Sequence, residues 1–223
     1  MVRRKARILA VAISMVFLSP TFGQGTFQNL DFESASFVPI PGDPYRVEFG
    51  PALPGWTGYI NGQKQTAIIP NGIPLGSTPI PFITVTTQPS LGYVLEGSHT
   101  LAYSGGFDSF GNWVLVSLAQ TGQVPSDAQS LRFLALGYPA VLLDGHYLPP
   151  VALGSGPSPT TLYGVDISTF AGQAVELRFS IGPGIDYLDG IQFSNQPIPE
   201  PSTVGLFALG ALLLGWGVVW RKA

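Results

Sequence analysis

The 223-residue chain has no cysteine, two histidines and two methionines, and only 10% of its residues are charged. Without cysteine there is no disulfide framework, no thiolate zinc site and no cysteine nucleophile. A typical soluble domain is about 25% charged. Ten Lys and Arg stand against thirteen Asp and Glu, a net charge of −3. No basic block interrupts the middle of the chain, which argues against a nucleic-acid partner. What the chain has is 45% hydrophobic residues, 12% aromatics, 28 Gly and 21 Pro. That content can fill a core, so disorder is excluded and one folded domain is expected.

The two ends account for much of the apolar composition. Arg3, Arg4, Lys5 and Arg7 precede an apolar run from Ile8 to Leu18, and Thr21 and Gly23 offer small residues before a cut at Gln24. This is the layout of a secretory signal peptide over residues 1–23, and its core is too short to span a bilayer that needs about 20 apolar residues. At the other end, Thr203 to Trp220 is uncharged and is followed by Arg221, Lys222 and Ala223. Eighteen residues reach about 27 Å as a helix, enough for the hydrocarbon core. The basic tail belongs on the cytoplasmic side, which places the intervening body outside the cytoplasm.

Pro199-Glu200-Pro201 stands just before that run. The triplet, the single apolar segment and the Arg221-Lys222 tail together resemble the PEP-CTERM sorting signal read by exosortases of Gram-negative bacteria. The resemblance covers residues 199–223 and implies export through the secretion machinery, a membrane stage through the C-terminal helix, processing by an exosortase-like enzyme, and delivery to the cell surface or extracellular matrix. The prolines keep the segment extended and present Glu200 outside the helix.

Between Gln24 and Ile198 the pattern is short apolar runs with period two, broken by Gly, Pro, Asn and Asp, and no long 3.6-residue period. That predicts an all-β domain over residues 24–198, a two-sheet antiparallel sandwich. Expected strands include Thr26–Phe32, Tyr93–Leu95, Trp113–Gln120, Leu131–Leu136, Val175–Ile181 and Leu188–Phe193. Asp144-Gly145 between Val141-Leu142-Leu143 and His146-Tyr147-Leu148 predicts a tight hairpin. The Pro-rich stretches Val38–Pro44, Pro70–Pro81 and Pro149–Pro159 read as surface loops.

Three patterns suggest a more definite identity: Asn29-Leu30-Asp31-Phe32-Glu33 followed by Leu53-Pro54-Gly55-Trp56; Gly164 to Gln173 leading into Ala174–Phe179; and Tyr187-Leu188-Asp189-Gly190-Ile191-Gln192-Phe193. Together they resemble the galactose-binding-like jelly roll of many carbohydrate-binding modules. The resemblance implies a carbohydrate-binding or structural module and, by analogy with several such modules, a structural Ca²⁺ joining the first and last strands. Its carboxylates here would be Glu33 or Asp31 with Asp189 and Asp186. A hard cation wants six to eight oxygens, so these residues begin such a site without completing it. Asp166 or Ser168 would cap the turn through Phe170, and Gly172 would supply a positive φ before the next strand.

Recognition of a polysaccharide calls for exposed aromatic faces beside polar groups. Trp56, Tyr59, Tyr103 and Trp113 are candidates, with Trp56 assigned to the core. The loop between Tyr103 and Trp113 adds Asp108 and Asn112 as sugar-binding candidates. Signs of enzymatic chemistry are weak. Gly97-Ser98-His99 lacks the spacing of a nucleophile elbow, and no pair of carboxylates stands out for glycoside hydrolysis. A non-enzymatic module is expected; a secreted polysaccharide hydrolase is the alternative. Between residues 24 and 198 lie twelve of the acids and only four basic residues, giving the body a charge of −8. Neutral glycans or divalent cations suit it better than anionic partners.

Overall fold

The computed structural model describes residues 22–23, 25–73, 80–88, 93–157 and 159–199. The expected signal core and the apolar run 203–220 lie outside these residues. Among the described residues no helix is long and apolar enough to cross a membrane.

Among the described residues the alternating runs form seventeen strands. In chain order they are β1 (Phe22–Gly23), β2 (Pro39–Ile40), β3 (Asp43–Glu48), β4 (Thr57–Ile60), β5 (Gln63–Lys64), β6 (Ala67–Ile68), β7 (Phe82–Thr86), β8 (Thr100–Phe107) and β9 (Trp113–Val114). They continue as β10 (Val116–Gln123), β11 (Ser130–Leu136), β12 (Ala140–Leu143), β13 (His146–Leu148), β14 (Val151–Ser155), β15 (Thr161–Asp166), β16 (Ala174–Ile181) and β17 (Gly184–Ser194). One four-residue helix, Phe49–Ala52, and one 3₁₀ turn, Ser168–Phe170, complete the described elements. Strands β14-β15-β11-β17-β8-β7 make one sheet, joined at its margins by β1 and β9; β13-β12-β16-β10-β4-β5 make a second sheet, and β2-β3-β6 a small third. All ladders between these strands are antiparallel, and the two large sheets enclose one core, as the sandwich prediction requires.

The core follows from the period-two pattern. Val116 and Leu118 of β10, Val175, Leu177 and Phe179 of β16, and Val141 and Leu143 of β12 point inward to meet Leu101, Leu131, Phe133, Leu188 and Phe193 of the opposing sheet. Phe179 meets Phe133 edge-on at 5.3 Å between ring centres and lies 6.3 Å from Trp56. Each buried aromatic of this size contributes about 1.5–3 kcal/mol. Trp56 is core, as expected, and its indole N–H donates to the Asn29 carbonyl at 3.0 Å.

The Asp144-Gly145 hairpin forms as predicted, with φ of 48° and 78°, the left-handed pair of a type I′ turn. Asp166 accepts the Ser168 amide at 2.9 Å, and Gly172 has φ of 74°. Two expected strands do not form. Over Thr26–Phe32 the backbone turns, with Asn29 and Phe32 at positive φ. Its polar groups are met by side chains instead of a ladder: Gln120 pairs with both backbone groups of Gln28, and Trp56 takes Asn29. Tyr93–Leu95 is likewise not a strand, because the side chains of Thr86 and Thr100 take its carbonyl and amide groups. Conversely, the stretches read as Pro-rich loops hold β2 and β14, which are margin strands, and the start of β3, where Pro44 falls in the irregular stretch between the Ile40–Asp43 and Pro39–Val47 pairs. The first ladder also begins earlier than the expected domain boundary, since Phe22 and Gly23 pair with Ser194 and Phe193.

Candidate functional site

The outer face of the six-stranded sheet is built by the residues that alternate with the core set. One cross-strand row runs Tyr147, Leu142, Arg178, Ala119, Thr57; the next runs Ala140, Ser180, Ser117, Tyr59, Lys64. Arg178 organises this face. Its Nε donates to Glu176 at 2.9 Å, its Nη1 donates to the Ser117 hydroxyl at 2.9 Å, and its guanidinium carbon lies 5.0 Å from the centre of the Tyr59 ring. Two hydrogen bonds and a cation–π contact fix the plane of the guanidinium and leave further N–H donors for a ligand. Beside it a shallow hollow of about 120 Å³ is lined by Gly55, Thr57, Tyr59, Thr121 and Glu176. Tyr147, carried by the Asp144-Gly145 hairpin, is 55% exposed.

At the end of this sheet where β16 finishes, Trp113 is 74% exposed and stands over Gly182, whose absent side chain would sit 3.9 Å from the indole. Trp113 is thus available as a platform. Tyr103 is not: it is fully buried between the sheets, and a ligand cannot reach it. Asp108 and Asn112 are exposed, but they brace their own loop. Asp108 accepts the amides of Phe110 and Asn112 at 2.8 and 2.9 Å and the Asn112 side-chain amide at 3.0 Å. The Asn112 bonds come first among the causes that hold the Asp108 carboxyl below its ordinary range.

The four carboxylates expected to share a cation do not converge. Asp186 is register partner of Tyr103 and faces the core, where Oδ1 accepts the Tyr138 amide at 3.0 Å while Oδ2 and the Tyr103 hydroxyl have no hydrogen-bond partner in the protein. Asp189 lies on the opposite side of the same sheet, with Thr100. One ion cannot touch both. Asp31 is exposed and accepts the Glu33 amide. Among the described residues no group of three His, Asp or Glu is placed to hold a metal. Glu33 and Asp189 nevertheless tie the opening segment and the closing strand to one turn. Glu33 Oε1 accepts the amides of Ser98 and His99 at 2.7 and 2.9 Å, while Asp189 accepts Thr100 Oγ1 and the amides of Glu96 and Gly190. Backbone N–H groups thus link the opening segment and the closing strand to this turn.

Burial dominates the proton affinity of Asp189 and Asp186 and pushes each up to about 7, against the pull of their hydrogen bonds. For Glu33 partial burial also opposes ionisation, but the Ser98 and His99 amides and the His99 ring outweigh it and hold the carboxyl below its ordinary range.

Pro199 is exposed at the end of the described chain; Glu200, Pro201, Arg221 and Lys222 lie outside it. Residues 197–223 match the PEP-CTERM protein-sorting motif. The chain carries a PEP-CTERM sorting motif. That motif marks the protein for export and for exosortase-dependent sorting to the cell envelope. No curated protein matches the chain. Among solved structures, a cyclase from Fischerella sp. TAU is similar at 15% identity and a TM-score of 0.45, over 82% of this chain and 100% of that one. The carbohydrate-binding module TmCBM61, solved with β-1,4-galactotriose, is similar at 11% identity and a TM-score of 0.38, over 77% and 99%. A family 11 carbohydrate-binding module from Clostridium thermocellum, solved with a β-1,3-1,4-mixed-linked tetrasaccharide, is similar at 10% identity and a TM-score of 0.31, over 67% and 94%.

The sequence did not single out Arg178, Glu176, Ser117 or Tyr147. The alternation in Ala174–Ile181 puts Glu176, Arg178 and Ser180 on one side of a strand, but only the tertiary structure says that this side faces open solvent next to Tyr59.

Proposed function

We propose that the body of this PEP-CTERM protein is a non-enzymatic, jelly-roll polysaccharide-binding module, and that the open face of its six-stranded sheet is the binding surface. The observation that carries this reading is the Tyr59–Arg178 pair, held rigid on an exposed face by Glu176 and Ser117. An aromatic ring stacks on the apolar face of a sugar while a guanidinium and a carboxylate in fixed positions bind its hydroxyls. Trp113 lengthens the platform at one end and Tyr147 flanks it at the other. The shallow hollow beside Tyr59 suits a chain ligand lying along the sheet.

The same face favours binding over hydrolysis. Glycoside hydrolysis generally uses two carboxyl groups about 5–9.5 Å apart. Of the six strands in this sheet only β16 contains an acidic residue, Glu176. The signal peptide over residues 1–23 and the apolar run 203–220 with its Arg221-Lys222 tail complete the reading, as the export signal and a membrane anchor that holds the protein until the exosortase acts.

The test is retention of the protein on insoluble or immobilised neutral polysaccharides, followed by analysis of the soluble sugars. Retention without product, weakened in Tyr59→Ala and Arg178→Ala, supports the module. Release of oligosaccharide would replace it with the hydrolase, and absence of retention across a broad polysaccharide panel would leave a structural role.

A further inference from the structure

The closing strand does not run free into the sorting motif. After Ser194 the chain bends, with the Gln196 amide donating to Ser194 Oγ at 3.1 Å, and lies over the outer side of the eight-stranded sheet. The Ser130 hydroxyl donates to the Gln196 carbonyl at 2.7 Å, and Arg132 Nη2 reaches the same oxygen at 3.5 Å. Two residues later the Ile198 side chain fills the space left open by Gly164. A Cβ at Gly164 would lie 2.5 Å from Ile198 Cδ1 and 2.8 Å from Leu153 Cδ1, so any larger residue makes the ends of these two side chains shift and loosens the seat of the isoleucine. Ile198 also walls an apolar hollow of about 340 Å³ with Leu148, Pro149, Val151 and Thr169.

The match to the sorting motif starts at residue 197, so the head of the motif is also part of the packed surface of the body. These two roles conflict. An enzyme that reads a peptide segment needs it extended and clear of its own fold. Pro197, Pro199 and Pro201 pre-set that extended form, but a docked Ile198 leaves only four residues between itself and Thr203, a reach of at most about 18 Å over the five Cα–Cα steps.

We propose that the body latches the head of its own sorting motif, and that the exosortase engages the motif only when residues 195–198 lift from the sheet. The affinity of the enzyme for the chain is then reduced by the fraction of molecules in which the latch is open. The latch is slight: one neutral hydrogen bond, one long charged one and a half-buried isoleucine. Its opening therefore tunes delivery without abolishing it.

The experiment uses the full chain in cells that carry an exosortase, with delivery to the surface followed by pulse-chase. Ile198→Ser removes the apolar contact, Ser130→Ala removes the hydrogen bond, and Gly164→Ala displaces Ile198 while leaving the motif itself untouched. Thermal melting checks that each body is folded, and hydrogen exchange of the Gln196 amide, which donates to Ser194 Oγ, reads the latch. The expected result is loss of protection at the Gln196 amide and delivery about five- to tenfold faster in Ile198→Ser and Gly164→Ala, with a smaller gain in Ser130→Ala. Lost protection with unchanged or slower delivery overturns the proposal, as does absence of protection in the natural chain. Because Gly164→Ala leaves the motif residues intact, its outcome separates latching from a direct contact between Ile198 and the enzyme.

Discussion

The two large sheets obey the same alternation, yet their outer faces differ. On the eight-stranded sheet the outward residues Ala102 and Tyr187 form a second apolar cluster with Leu95 of the covering segment, and Tyr93 covers Tyr187 edge-on at 5.1 Å. Asp189 is locked beneath the same covering segment, and the tail through Ile198 packs beside it. On the six-stranded sheet Tyr59 and Arg178 are half-exposed, packed against each other, Tyr147 is exposed, and the face is polar and aromatic. A sheet side that is roofed by its own loops serves stability; one left open with fixed donors and flat rings has the features the proposed binding surface calls for.

The largest test of that contrast is at the covered face. Asp189→Ala leaves the Thr100 hydroxyl and the Glu96 and Gly190 amides without their acceptor, and unmet donors of this kind cost about 1–3 kcal/mol each when buried. The expected loss is about 4 kcal/mol in urea unfolding, with polysaccharide retention of the folded fraction unchanged. If retention falls in step with Asp189 while stability holds, the assignment of the two faces is reversed.

A second test uses pH. Asp186 and Asp189 bind protons more tightly folded than unfolded, with values near 7 against an ordinary 3.8. The native state therefore holds more protons between about pH 4 and pH 7. Their contribution is fully present below pH 4 and is lost as pH rises through 7. Unfolding free energy should fall by about 2–3 kcal/mol per group from pH 5 to pH 8, and Asp186→Asn should remove a large part of that slope. A melting temperature that climbs over the same interval contradicts the burial-driven shift.

Changes at the open face should act on binding and spare the fold. Arg178→Ala and Tyr59→Ala are expected to weaken polysaccharide retention by about tenfold each, roughly 1.4 kcal/mol, with the pair less than additive because the two side chains support each other. Trp113→Ala should reduce retention by a smaller factor. The smallest effect is expected at Gly145, whose φ of 78° disfavours a side chain; Gly145→Ala should destabilise the β12–β13 hairpin by about 1 kcal/mol and disturb Tyr147. Loss of all retention in that variant would move the centre of the site from Tyr59 to Tyr147.

Much of this was legible beforehand where the signal is local. Val116–Gln123 and Ala174–Ile181 alternate cleanly, so their strand form and buried set could be read directly, and Asp144-Gly145 could only be a tight turn. Thr26–Phe32 alternates almost as well but is held irregular by Gln120 and Trp56, which lie far off in sequence and supply hydrogen bonds no local pattern contains. Tyr103 looks like Tyr59 in sequence, an aromatic in a short strand, and differs only in which way its strand faces.

The sequence by itself determined the all-β class, the acidic body and the sorting motif at the C-terminus, because charge, period and a contiguous motif are properties of neighbouring residues. Tertiary structure alone decided that Asp186 and Asp189 lie on opposite sides of a sheet, that Glu33 and Asp189 clasp one turn through backbone amides, and that Arg178 meets Tyr59 on an open face. Each of these depends on which strands pair and on what covers them, and those are relations between residues up to about a hundred positions apart.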